Sequence, residues 1–265
     1  MYKVKTAIYK LFKLFGFRVI SNSVDSHRQL EINNLKNENE KFRFLLSDNI
    51  SRKKELLNYL NSSKSQICQD WFVLESLNYK KNGYFVEIGA ASGVELSNTF
   101  LLEKKYDWDG ILSEPSPGWK ENLESYRSCK KDYRCVYSKS EQTVNFNQTT
   151  EKEYSTISYF SNSDRHQNKR KYFTQYEIVT ITLNDLLKEH NAPFEIDYLS
   201  IDTEGSEYEI LRNFDFNKYS FKVITVEHNN TVNETLIDKL LEKNGYKKQL
   251  EESSQFESWF TNSNL

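Results

Sequence analysis

The sequence predicts an α/β fold organised around a mostly parallel β-sheet, and three observations carry that prediction. From Tyr84 onward, strand-like and helix-like stretches alternate. A turn bearing Gly89 and Gly93 follows the first strand directly, in a chain with only 8 glycines among 265 residues. A chain of that length is also able to bury one large α/β core with an appendage.

The strands are expected at 84–88, 110–114, 133–137, 198–202, 223–227 and 246–250, each a short run rich in β-branched and aromatic residues. Helix-like stretches at 97–105, 119–126, 183–190, 207–213 and 234–244 lie between them. Right-handed crossovers then give a parallel sheet covered on both faces. Residues 144–179 read as an insertion with β-like pieces and a polar loop. Open sheets of this kind bind ligands at the carboxyl ends of their strands, where the strand order reverses.

Three segments are expected: a basic helix over 1–24, a helical stalk over 25–64 and the α/β domain over 65–265. In the first, Val4, Ile8, Leu11 and Phe15 recur at helical spacing opposite Lys3, Lys10 and Lys13, and no acidic residue precedes Asp25. Lysines interrupt the apolar run too often for a secretory signal. Residues 1–20 therefore read either as a peripheral contact with the inner face of an anionic membrane or as a protein-packing helix. In the second segment, Ile32, Leu35, Asn39, Phe42, Leu46, Asn49, Lys53, Leu56 and Leu60 follow the coiled-coil period, with Asn39, Asn49 and Lys53 weakening the seam. Residues 25–60 read as a homodimerising stalk or as a solvated helix.

Composition narrows the function. A net charge of -2 with a pI near 6.2 argues against a nucleic-acid partner. Cys68, Cys129 and Cys135 are odd in number and form no C-x-x-C pair, which suggests neither a disulfide framework nor a metal centre and fits a reducing, cytoplasmic compartment. No apolar stretch is long enough to span a bilayer.

The chemistry-bearing residues gather at expected strand ends. A dinucleotide fingerprint would need glycines at 89, 91 and 94, whereas the chain has Gly89, Ala91 and Val94, so nicotinamide and flavin are disfavoured. Glu87 ends the first strand and Glu114 the second, where ribose-binding carboxylates stand. Asp202 and Glu204 follow the fourth strand, and Glu227, His228 and Asn229 the fifth. Ser206-x-x-Glu209 also reads as a helix capping box. The loop 163–173 concentrates Arg165, Lys169 and Arg170, groups suited to a phosphate- or carboxylate-bearing acceptor or, equally, to a solvated basic loop.

"YFVEIGAASGVELSNTFLLE", "WDGILSEPSPGW", "IDYLSIDTEGSEYEIL" and "VITVEHN" resemble, in order and spacing, the motifs of the FkbM-type family of S-adenosylmethionine-dependent methyltransferases. The resemblance runs from about Ser65 to the C-terminus. It implies a Rossmann-like class I methyltransferase sheet of seven strands with an antiparallel last strand, here around 256–260. It also implies O-methylation, often of a sugar hydroxyl, with a nucleotide-sugar, lipid-linked saccharide or glycan as acceptor. S-adenosylmethionine is then expected against Glu87, Gly89, Ala90, Ala91 and Gly93, with Glu114 and Pro115 at its ribose, Ser138 near its adenine and Asp202 close by. Ala91 stands where the fold commonly has a glycine, and Ser138 where many relatives keep an aspartate.

A hydroxyl acceptor calls for a base. His228 is the first candidate, since an unperturbed imidazole is largely neutral at cytoplasmic pH; Asp202 and Glu204 are the alternatives, either directly or as Mg²⁺ ligands. Arg165, Lys169, Arg170 and Asn229 are the expected acceptor contacts. The competing functional class is a non-catalytic scaffold associating through its N-terminal helices. Keeping Glu87, the glycines and Glu114 in register argues against it, and no N-P-P-Y-like signature of amino methylation follows the fourth strand.

Overall fold

A computed structural model describes residues 62–264. The expected basic helix, and the stalk up to residue 61, lie outside the described residues. In chain order the elements are α1 (Gln69–Ser76), β1 (Tyr84–Ile88), α2 (Phe100–Tyr106), β2 (Asp109–Ser113), α3 (Lys120–Tyr126), β3 (Lys130–Asp132) and β4 (Cys135–Val136). They continue with β5 (Thr143–Thr149), β6 (Thr156–Ile157), β7 (Phe173–Ile181), α4 (Leu183–Glu189), β8 (Glu195–Ile201) and α5 (Glu207–Leu211). The last are β9 (Ser220–Glu227), α6 (Asn233–Lys243), β10 (Tyr246–Gln249), α7 (Glu251–Ser254) and β11 (Glu257–Asn262).

The main sheet has seven strands in the order β10-β11-β9-β8-β1-β2-β3, and only β11 runs antiparallel to its neighbours. Along β1, Phe85 packs with Leu101, Leu112, Leu123 and Trp259 on one face, while Val86 and Ile88 join Leu186, Ile201 and Ile224 on the other. Both faces are buried, which is why the central strands read as nearly unbroken apolar runs. Strand order reverses between β1 and β8, and there the two strand ends touch. A Cβ on Gly89 (φ +84°) would lie 1.6 Å from the Asp202 carbonyl oxygen, so the approach of the β8 end demands a glycine at that position.

Residues 144–179 form the bulk of a second sheet, ordered β4-β7-β5-β6, that folds over the carboxyl edge of the first. Thr156 Oγ1 of β6 donates to the Glu204 carbonyl at 3.0 Å, and Phe160 and Ser163 pack where a Cβ of Gly205 would stand. The insertion is thereby clamped onto the turn after β8.

Three local expectations are revised. The strand expected at 133–137 is divided: β3 ends at Asp132, and Cys135–Val136 belongs to the second sheet. The Asp132 carboxylate accepts from the Arg134 amide and guanidinium and turns the chain between them. Helix α2 starts at Phe100 rather than at 97, because Ser97, Asn98 and Thr99 all donate to the buried Glu87 carboxylate. The capping box is not formed either. Glu207, not Glu209, reaches back, accepting from the Thr203 and Gly205 amides at 2.9 and 3.0 Å.

Beneath the glycine turn, buried Arg127 donates to Glu103 at 2.6 Å and to the Gly93 carbonyl at 3.0 Å. Burial alone would raise the Glu103 pKa, but the Arg127 charge and hydrogen bonds from Ser128, Lys104 and Arg127 bring it down to about 2. The stability from this pair is present above the ordinary carboxylate pKa and is lost as pH falls below it through about 2.

Candidate functional site

The cavity at the strand-order reversal lies between the carboxyl ends of β1, β2 and β8 and the overlying second sheet. Its floor is the β1 turn, with Gly89, Ala90 and Ala91. Ala91 adopts a left-handed conformation (φ +45°), one that a glycine would take more readily, and its amide is thereby aimed at Glu114 Oε2, 2.8 Å away. Glu114 Oε1 accepts from the Ser116 amide at 2.8 Å. Each oxygen retains a lone pair beyond these bonds, and Glu114 lines the cavity, as the receipt of two vicinal hydroxyls requires. Burial raises the Glu114 pKa to about 7 against these two amides, with the Glu87 charge adding to the rise.

Beyond Glu114 and Pro115 the wall turns apolar, with Cys135, Val136, Phe146 and Ile157. Asp202 and Glu204, from the end of β8, also line it. Asp202, Glu204 and Glu227 bring carboxylate oxygens within 4.8 Å of one another. Asp202 and Glu227 share a hydrogen bond, and both pKa values lie well above normal. For Asp202 the causes are burial and then the Glu204 charge; for Glu227 they are burial and then the Asp202 charge. One proton held between them removes one negative charge. Glu204 is balanced by Arg170, whose guanidinium donates to it at 2.5 Å and forks onto Asp164 at 2.8 Å through both terminal nitrogens. The three carboxylates, or Asp164, His166 and Glu204, have spacings that would hold a cation. Arg170 and the shared proton already supply the compensation such an ion would give.

The expected site residues divide accordingly. Glu87, Gly89, Ala90, Ala91, Glu114, Pro115, Asp202 and Glu204 line one cavity. Glu87 has its carboxylate occupied by the 97–99 segment, so it shapes the turn. Gly93 and Ser138 do not line the cavity: Gly93 lies against Leu123 and Arg127, and the wall near the third strand is made by Cys135 and Val136. Of the basic loop, Arg170 is buried in its carboxylate pairs, Lys169 is paired with Glu151 at 2.7 Å and Arg165 lies over the Phe256 ring. These three cations are engaged within the chain instead of converging on the cavity.

His228 and Asn229 line a neighbouring cleft. Nδ1 of His228 accepts from the Asn230 amide at 3.1 Å. Burial lowers the ring's pKa against the opposing Glu234 charge, so the imidazole is neutral with its proton on Nε2. A ring in that tautomer donates through Nε2 and has no free lone pair with which to act as a base. Phe146 and Ile157 carry parts of the site that sequence reasoning did not name, and Glu227, named only within the cluster after the fifth strand, had been given no role of its own. Only Glu227, at the end of an apolar strand, offered a signal.

Strand order, the antiparallel β11 and a cavity at the reversal point together define an α/β fold of the class I methyltransferase type. The Methyltransferase FkbM domain matches residues 87–248, and the chain belongs to that family. Among solved structures it is similar to a methyltransferase FkbM from Methylobacillus flagellatus KT, at 14% identity and a TM-score of 0.41, covering 94% of this chain and 65% of that one. It is also similar to a precorrin-6y C5,15-methyltransferase from Geobacter metallireducens GS-15, at 13% identity and a TM-score of 0.39, covering 68% and 71% respectively. A fibrillarin/Nop5p complex gives 12% identity and a TM-score of 0.33, covering 74% and 82%. No curated protein matches the sequence. Among the described residues no helix is long and apolar enough to cross a membrane.

Proposed function

We infer that the protein is an S-adenosylmethionine-dependent O-methyltransferase acting on a hydroxyl of a saccharide. The observation that carries this reading is the set of groups lining one cavity: Asp202 and Glu204 from the end of β8, Glu114 from the end of β2, and the apolar Cys135, Val136, Phe146 and Ile157. A molecule with a cationic end, a ribose and an aromatic base matches that set of environments. S-adenosylmethionine supplies an electrophilic methyl already activated by positive charge, so the protein's task is positioning and proton removal. In this reading Glu114 accepts from the ribose hydroxyls, Cys135, Val136, Phe146 and Ile157 enclose the base, and Asp202 takes the acceptor proton. Asp202 replaces His228 as the proposed base because it lines this cavity and is backed by Glu227. Hydroxyl acceptors fit a carboxyl pair with raised proton affinity, since a stronger base takes a hydroxyl proton more readily.

The test is incubation with isotopically labelled cofactor and a panel of nucleotide-sugars, lipid-linked sugars and glycans, read by mass spectrometry. A labelled methyl on a sugar oxygen, retained after chelator treatment, is expected. Transfer to nitrogen only, or none to any panel member by protein that binds S-adenosylhomocysteine, would require another acceptor class.

A second expectation concerns pH. Glu114 is held protonated below about 7, and ribose hydroxyls are best received by the ionised form. Affinity for S-adenosylhomocysteine should therefore rise about tenfold from pH 6 to pH 8, and Glu114→Gln should flatten that rise while weakening binding by about 1–3 kcal/mol. Isothermal titration in buffers of different ionisation enthalpy measures both. For the ligand-free protein the sign is opposite: a raised carboxyl pKa makes folding stability fall as pH climbs from the unfolded value through 7. An affinity that is flat with pH in the unmodified protein would remove Glu114 from the ribose position.

A further inference from the structure

Ala91, Glu95, Leu96, Trp119 and Glu153 line the cavity and also line a cleft on the molecular surface. The cavity therefore meets the outside between the segment after β1, the turn after β2 and the loop joining β5 to β6. Leu96 and Trp119 are the bulky apolar side chains at that boundary. Leu96 stands on backbone that is bridged to Ser65. Trp119 is half-buried, and its indole N–H makes no hydrogen bond among the described residues, whereas the indoles of Trp108 and Trp259 donate to Lys80 and Glu257.

The Trp119 ring is held by Lys152, from the loop between β5 and β6. Nζ of Lys152 lies 4.8 Å from the indole centroid and donates to the Gly118 carbonyl at 3.0 Å. Beside it, Gln148 Oε1 accepts from the Ser116 hydroxyl and the Gly118 amide, each at 2.8 Å. Gln148 thus fixes the backbone of the turn, while the ring depends on one ammonium. A cation over an indole and a single hydrogen bond, at a half-exposed position, together shift an equilibrium by about tenfold, a hold that thermal motion breaks readily.

Gly118 is where the ammonium's stem and the turn meet. A Cβ there would stand 2.9 Å from Gln148 Oε1 and 3.0 and 3.1 Å from Cε and Cδ of Lys152, so the absence of a side chain lets the stem lie against the turn. The border beside Glu204 is built differently. Thr156 Oγ1 donates to the Thr203 and Glu204 carbonyls, and Arg170 forks onto Asp164 and reaches Glu204, with Thr156 and Arg170 both buried. The second sheet is anchored there by buried charged contacts, and its contact at Trp119 is the weaker one.

We propose that Trp119 is the gate of the cavity and Lys152 its latch: when the ammonium releases the indole, the ring swings out of the boundary and opens the passage for the S-adenosyl ligand. The proposal rests on the cofactor reading only for the identity of what passes. Lys152 acts through Trp119 and is a positioning residue.

Trp119 serves as its own reporter, because the other three of the 4 tryptophans, Trp71, Trp108 and Trp259, are 1%, 3% and 0% exposed. Acrylamide quenching of the ligand-free full chain should be stronger in Lys152→Met, which keeps the stem and loses the charge, and the added quenching should vanish when Trp119→Phe is combined with it. In stopped-flow mixing with S-adenosylhomocysteine, association and dissociation rate constants should both rise about five- to tenfold in Lys152→Met with Kd moved less than about twofold, because a gate alters passage in both directions. Gly118→Ala should act alike: its backbone lies outside the left-handed region, and its Cβ displaces only the flexible ends of Lys152 and Gln148. Quenching unchanged in Lys152→Met, or rates unchanged in both variants, overturns the gate. A rise in dissociation alone, with Kd weakened to match, overturns it as well and makes Lys152 a ligand contact. Absence of S-adenosylhomocysteine binding in calorimetry sinks the cofactor reading instead, and the quenching measurement, which needs no ligand, still judges the gate.

Discussion

Substitution of Arg170 by alanine is expected to lower folding stability by about 3–5 kcal/mol, because it strands two buried carboxylates at once. Arg170 is 3% exposed, and its guanidinium meets Asp164 through two nitrogens and Glu204 through one, while Nε donates to the Tyr154 carbonyl at 2.9 Å. It also ties the second sheet's loop to the turn after β8, so its loss loosens the roof of the cavity. Burial would raise the Asp164 pKa, but the Arg170 hydrogen bonds hold it below the ordinary carboxylate value. That contribution is present above the unfolded pKa and lost as pH falls through the folded one, so the variant's deficit should shrink in acid. For a domain of this size the loss corresponds to a melting temperature lower by roughly 10 °C. Arg170→Lys should recover little, since an ammonium cannot fork onto two carboxylates. Adding Glu204→Gln to Arg170→Met should recover part of the loss by removing a stranded charge. A deficit under about 1 kcal/mol in Arg170→Ala would mean that these carboxylates find protons or water instead of the guanidinium.

The same residue shows where sequence reading reaches its limit. Arg170 sits in a run that reads as a basic loop, and its partner Glu204 is 34 positions away, with no local pattern linking them. Central strands were legible because burial on both faces writes itself into composition: the strand expected at 84–88 is β1 to the residue, and those expected at 198–202 and 223–227 overlap β8 and β9. The third strand was not. Its actual residues, Lys130, Lys131 and Asp132, are all charged, which an edge strand tolerates, whereas the more strand-like Cys135 and Val136 serve the second sheet. Strand-end chemistry was legible for Glu114, Asp202 and Glu204, which line the cavity, because parallel topology brings those ends to one edge. The role of His228 was not, because it depends on which ring nitrogen the Asn230 amide occupies.

Asp202→Asn is expected to separate activity from stability, and that separation distinguishes a base from a structural carboxylate. If Asp202 accepts the acceptor hydroxyl's proton, the amide should lower kcat by about 10²–10⁴-fold, the usual worth of general base catalysis. Cofactor affinity should change far less, because Glu114 and the apolar wall are untouched. Stability should move the other way. Asp202 and Glu227 hold protons well above their unfolded pKa values because burial and mutual repulsion oppose a second charge. The folded protein therefore binds more protons than the unfolded chain, and its stability falls as pH rises through the raised values. An amide cannot ionise, so Asp202→Asn should be more stable than the parent at pH 8, with the gain narrowing as pH falls and the pair takes up protons. Thermal melts across that range, beside single-turnover rates with a hydroxyl acceptor, make the comparison. Turnover unchanged with stability raised would leave Asp202 as a strained structural group and return the base to Glu204. If turnover and stability fall together, the carboxyl pair contributes to the fold, and proton removal must occur elsewhere along the cavity.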